Sequence, residues 1–122
     1  MTGKKILLVD DEPHLIRSLA FVLTKEGYEI TTANNGEEAL ERVKQSKPAL
    51  MFLDVMMPKK NGYEVCQEIK DSPDLKDIYV IMLSARGQEA AVEQGLKCGA
   101  NEFLTKPFSP MAIVAKVKEV LG

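Results

Sequence analysis

With 122 residues, 16 basic and 18 acidic side chains and a net charge of −2 at pH 7, the chain suits one domain that buries roughly two-thirds of the surface its unfolded form exposes. That charge gives no general attraction for phosphate backbones or anionic lipid, so direct nucleic-acid binding and membrane association are not expected. Cys66 and Cys98 form no CxxC pair and no metal spacing with the single histidine, His14, so inert, reduced thiols in a cytoplasmic protein are expected.

The basic start Met1-Thr2-Gly3-Lys4-Lys5 is followed by only four apolar residues, Ile6 to Val9, before Asp10-Asp11-Glu12. This is too short for a signal sequence, and no run approaches the ~20 apolar residues of a membrane helix. Ile6-Leu7-Leu8-Val9 is instead predicted to be a central parallel strand. His14 then opens a helix as a surface residue, and Leu15, Ile16, Leu19, Val22 and Leu23 recur at helical spacing up to Gly27, which suits a left-handed cap. Tyr28 to Ala33 alternates, as a half-covered edge strand does.

The stretch "ALMFLDVMMP", Ala49 to Pro58, runs five apolar residues into one carboxylate. Such a run reads as a strand buried on both faces, which places Asp54 where the sheet meets solvent. Met51, Met56 and Met57 read as core filler. Asn61-Gly62-Tyr63-Glu64 has the form of a capping box. Ile78 to Leu83 is a third central strand, Gly99 a second left-handed cap, and Glu102-Phe103-Leu104-Thr105 a short strand at the opposite edge. Ser109-Pro110 supplies a cap with proline in first helical position, Ile113, Val114, Val117 and Leu121 repeat at helical spacing, and Lys116, Lys118 and Glu119 read as the solvated face.

Strand and helix thus alternate five times without repeats or linkers, which predicts an α/β three-layer sandwich around a five-stranded parallel sheet. Right-handed crossovers put every strand's carboxyl end on one rim, where ligands of such sheets bind. The first strand ends at Asp10-Asp11, the third at Asp54 and the fourth at Ser84, while Lys106-Pro107 follows the fifth. Taken singly, an acidic pair is a solvated turn, Ser84 a cap and Lys106 a surface lysine. A carboxylate ending a buried strand, however, needs a partner or a cation, and the coincidence of four strand ends outweighs the separate readings. Crowded carboxylates repel unless a cation intervenes, and oxygen donors suit Mg²⁺. With Mg²⁺, Asp54 can act as a nucleophile toward phosphorus, with Lys106 and Ser84 holding the phosphoryl oxygens.

On "LLVDDEP", "LDVMMPKKNG", "LSARG" and "GANEFLTKPF", the whole chain resembles the response-regulator receiver family of two-component signalling. The resemblance implies the flavodoxin-like strand order 2-1-3-4-5 with five helices, an order the chemotaxis receiver itself exemplifies. It implies that Asp54 is the phosphoacceptor, that Asp10, Asp11 and the Met56 backbone carbonyl join Asp54 around Mg²⁺, and that Ser84 and Phe103 form the switch. Lys106 would be the counter-ion of the phosphoryl group, aimed by a cis Pro107. Met56 and Arg86 are similar to their counterparts in transcription-factor receivers. Because Met56 has no polar side chain to position water, slow loss of the phosphoryl group is expected. Lys59, Lys60 and Asn61 depart from the commonest pattern in the loop that bears on kinase recognition.

The expected function is therefore a signalling module rather than a turnover enzyme, beyond phosphorylating and dephosphorylating itself. Its partners would be a sensor histidine kinase and a downstream protein or output domain met by the fourth helix, fifth strand and last helix. A phosphorylation-dependent homodimer stays open. The alternative is a Mg²⁺-dependent aspartyl-nucleophile phosphatase, but haloacid-dehalogenase-type enzymes carry a second Asp where this chain has Met56. Flavin binding on the same topology is disfavoured by the acidic loop after the first strand, and a receiver-like scaffold that is never phosphorylated by the presence of every site residue. Because the chain stops at Leu121-Gly122, at the end of the last helical pattern, no output domain is expected within it, and a stand-alone regulator and the receiver part of a longer one both stay open.

Overall fold

A computed structural model of the chain describes residues 4–55, 61–84, 99–106 and 109–121. Met56, Lys59, Lys60, Arg86, Cys98, Pro107 and the expected fourth helix within 85–98 lie outside them.

The sheet is made of β1 (Lys5–Val9), β2 (Glu29–Ala33), β3 (Leu50–Asp54), β4 (Tyr79–Ser84) and β5 (Glu102–Thr105). All neighbouring pairs are parallel, in the order β2-β1-β3-β4-β5. The apolar runs become the three central strands, and the alternating and the short segment become the edges. Side chains leave a strand alternately to its two faces. Leu7, Val9, Met51, Leu53, Val80 and Met82 accordingly enter one core, with Ala39, Val43, Val65 and Ile69. Ile6, Leu8, Leu50, Phe52, Ile81 and Leu83 enter the other, with Leu19, Leu23, Ile113 and Val117.

Four helices among the described residues cover these faces: α1 (Pro13–Lys25), α2 (Gly36–Gln45), α3 (Gly62–Asp71) and the last helix, α4 (Pro110–Leu121). The first core lies under α2 and α3, the second under α1 and α4. The caps predicted for the described helices form. Asn61 accepts from the Glu64 amide while its own amide donates to Glu64, the Ser109 hydroxyl accepts from the Ala112 amide, and Gly27 and Gly99 have φ of 97° and 92°. Asp54 and Ser84 are the last residues of β3 and β4, the ends expected for the third and fourth strands, whereas β1 ends at Val9, one residue short of Asp10.

Two lysines do more than spacing indicates. Lys118 and Glu119 are exposed as expected, but Lys116 is half-buried: its ammonium bridges Glu102 of β5 at 2.7 Å and Glu119 at 2.9 Å. The Lys70 ammonium donates to the carbonyls of Lys76 and Ile78 and to Asn101 Oδ1, tying the end of α3 to the entries of β4 and β5.

Candidate functional site

Asp10 follows β1 directly, and its amide donates to the Ala33 carbonyl, continuing the β1–β2 ladder. Its Oδ1 accepts from the Glu12 amide at 3.0 Å, which turns the chain into α1. Because β1 and β3 are neighbours, Asp10, Asp11 and Asp54 each present an oxygen within 4.8 Å of the others. Asp10 is 2% and Asp54 7% exposed, whereas Asp11 faces solvent. Lys106 leaves the far edge of the sheet, held by its amide donating to the Ser84 carbonyl at 2.7 Å. Its Nζ reaches across to Asp10 Oδ2 at 2.8 Å, Glu12 Oε1 at 3.1 Å and Asp54 Oδ1 at 3.6 Å.

Burial, reinforced by the charge of Asp10, pushes the Asp54 carboxyl up to about 6, with Lys106 opposing. Burial likewise raises Asp10 against the hydrogen bond from Lys106. Burial disfavours the Lys106 ammonium, but its bond to Asp10, the charge of Asp54 and its bond to Glu12 prevail and hold it above its ordinary value. Three carboxylates thus face the Lys106 ammonium, with Asp11 beside two of them, and the cluster carries more negative than positive charge. An all-oxygen donor set suits Mg²⁺, a hard cation that is bound through one or two carboxylates together with waters and phosphate oxygens. A cavity of about 350 Å³ opens beside Asp10 and Asp11, bounded by Pro13, Arg17, Asn34 and Arg42.

Ser84 is 2% exposed at the end of β4, beside Thr105, and Phe103 is half-buried opposite Met82. Asp10, Asp11, Asp54, Ser84 and Lys106 therefore share the predicted rim, and Phe103 lies within β5 below it. The Met56 carbonyl and Pro107 are outside the described residues.

Two residues at the site carry a role that the motifs did not single out. Glu12 occupies the N-cap of α1 yet makes no capping bond, forgoing about 1 kcal/mol that Ser, Thr, Asp or Asn would supply there; its side chain reaches Lys106. That poor cap directly before Pro13 is the signal in the sequence. Gly62 packs against the backbone of Asp54: a Cβ there would lie 2.3 Å from the Asp54 carbonyl oxygen and 3.0 Å from Val55 Cα. Its amide donates to the Val55 carbonyl at 2.9 Å.

Residues 6–118 match the family model described as the response regulator receiver domain. The alkaline phosphatase synthesis transcriptional regulatory protein PhoP of Bacillus subtilis is 43% identical over 119 residues, 98% of this chain and 49% of that protein. The chain spans about half the length of the curated relatives it matches. Among solved structures, the chemotaxis response regulator CheY4 of Vibrio cholerae superposes with a TM-score of 0.90 at 28% identity, covering 98% of this chain and 99% of that one. The Mn(2+)-bound form of response regulator Rcp1 gives 0.81 at 32% identity, covering 96% and 91%. Sheet order, rim chemistry and similarity agree, and the chain belongs to the response regulator receiver domain family.

Proposed function

We propose that Asp54 accepts a phosphoryl group from the phosphohistidine of a sensor kinase, and that the modification alters the surface carrying β5 and α4. Membership in the receiver family already makes the chain a phosphorylation-dependent signalling module. The observation that carries the finer reading is the meeting of Asp10, Asp11, Asp54 and Lys106, from the ends of β1, β3 and β5, around one small volume.

In the transfer, an Asp54 carboxylate oxygen attacks phosphorus, the P–N bond breaks, and its electron pair stays on the imidazole. Asp10, Asp11 and Asp54, joined by the Met56 carbonyl, would hold the metal. When bound, Mg²⁺ supplies the positive charge that lets an anionic phosphoryl group approach these carboxylates. Lys106 and Ser84 hold the phosphoryl oxygens, and Phe103 responds when Ser84 moves. Moving a two-state domain from 1:99 to 99:1 takes roughly 5.5 kcal/mol. Two hydrogen bonds to a charged group contribute roughly 3 to 6 kcal/mol, so Lys106 and Ser84 together reach that amount only at the upper end of the range, and both are needed.

If the whole protein acts as a transcriptional regulator, as PhoP is named, DNA contact falls to parts other than this chain, whose net charge of −2 offers no general attraction. Among the described residues no helix is long and apolar enough to cross a membrane.

Metal binding has its own readout. Mg²⁺ at about ten times its dissociation constant is expected to add roughly 1.4 kcal/mol of stability in a denaturant titration, and Asp11→Ala to lose most of that gain. An equal gain in both proteins would remove Asp11 from the metal site. Function is tested with acetyl phosphate and Mg²⁺: one phosphoryl mass is gained by the wild type, and none by Asp54→Asn or in the presence of a chelator. Multiple-turnover hydrolysis of general phosphate esters would favour a phosphatase instead.

A further inference from the structure

We propose that Glu12 is a positioning residue that holds Lys106 away from the phosphoryl position and so sets how readily Lys106 engages the group on Asp54. This deepens the phosphoacceptor reading and rests on it. Lys106 Nζ has three carboxylate neighbours, and the acceptor Asp54, at 3.6 Å, is the farthest of them. To follow a phosphoryl group, the lysine must give up the two nearer partners.

The two partners differ in what a bound cation does to them. Asp10 belongs to the trio whose oxygens converge within 4.8 Å, and Glu12 does not. A divalent ion in that trio takes up the charge of Asp10 and leaves that of Glu12 whole. Glu12 then becomes the principal competitor for the ammonium.

Its geometry fits that task. The Glu12 amide is fixed by Asp10 Oδ1, while its side chain, 62% exposed, remains able to swing. At an N-cap with φ −97° and ψ 104° the side chain would ordinarily serve the helix, and this one makes no capping bond. A local rule broken at a site marks a residue placed for another purpose. An ion pair this exposed is worth about 0.2 to 1 kcal/mol, which bounds the effect at about five-fold.

The test is a double-mutant cycle on the full chain, with acetyl phosphate as donor and saturating Mg²⁺, following phosphoryl uptake by intact mass. Glu12→Ala is expected to speed uptake by about two- to five-fold and to leave the rate of Lys106→Met unchanged when combined with it. The same cycle is read without chemistry from the beryllofluoride concentration giving half the thermal shift, which should fall with Glu12→Ala only when Lys106 is present. An equal acceleration in the Lys106→Met background would mean simple repulsion between Glu12 and the donor, and would overturn the inference. So would no change in either readout. If the wild type takes up no phosphoryl group, the reading of Asp54 fails and this inference with it; uptake without coupling sinks the inference alone.

Discussion

Asp54→Asn is expected to stabilise the metal-free protein at pH 7, raising its unfolding midpoint by several degrees. The carboxyl stands at about 6 in the folded protein against an ordinary 3.8, because it is buried beside Asp10. A raised carboxyl binds more protons folded than unfolded. Its favourable contribution is therefore complete below about pH 4 and lost as pH rises through about 6. The shift of about two units sets a ceiling near 3 kcal/mol, and about 1 to 3 kcal/mol is the expected gain. The advantage of the Asn variant should shrink toward pH 4. At neutral pH, Mg²⁺ should stabilise the wild type more than the variant, since the cation replaces the charge that the cluster lacks. Thermal melts of both proteins from pH 4 to 8, with and without Mg²⁺, decide the matter. A wild type more stable than the Asn variant at pH 7 without metal would contradict this account of the site's electrostatics.

Gly62→Ala should destabilise the protein, although helix propensity alone predicts the reverse. In the first turn of α3, alanine would gain up to about 1 kcal/mol over glycine. The added Cβ, however, would sit 2.3 Å from the Asp54 carbonyl oxygen and 3.0 Å from Val55 Cα, both backbone atoms that cannot rotate aside. Overpacking of this kind costs about 1 to 3 kcal/mol, occasionally more, and the collision should outweigh the propensity. The strand end bearing Asp54 must shift, so Mg²⁺ affinity should weaken together with stability. A variant that melts above the wild type, with unchanged Mg²⁺ affinity, would show that the close approach of α3 is not needed to place Asp54.

Much of the architecture was legible because burial on both faces leaves an unmistakable trace. Ile6 to Val9, Ala49 to Leu53 and Ile78 to Leu83 are apolar without alternation, and they are the three central strands. Residues that end such runs must lie at the rim, which is why Asp10, Asp54 and Ser84 could be named from pattern alone. Position along the chain says nothing, however, about which distant side chains meet. Lys106 and Glu12 are 94 residues apart, and their contact joins the segments that follow β5 and β1, which no spacing along the chain announces. Likewise Lys116 looked solvated because helical spacing describes a face of α4, not the Glu102 carboxylate across from it. Gly62 read as part of a capping box, which it is, but the box does not tell that the helix start lies against the backbone of Asp54.

The central claim is that this particular carboxylate becomes an acyl phosphate. Borohydride reduces such a group to an alcohol, turning a phosphorylated aspartate into homoserine. Protein loaded with acetyl phosphate and Mg²⁺, reduced and mapped by peptide mass, should carry homoserine at position 54 and nowhere else. Reduction at Asp10, Asp11 or another acidic residue, with residue 54 recovered as aspartate, would contradict the account.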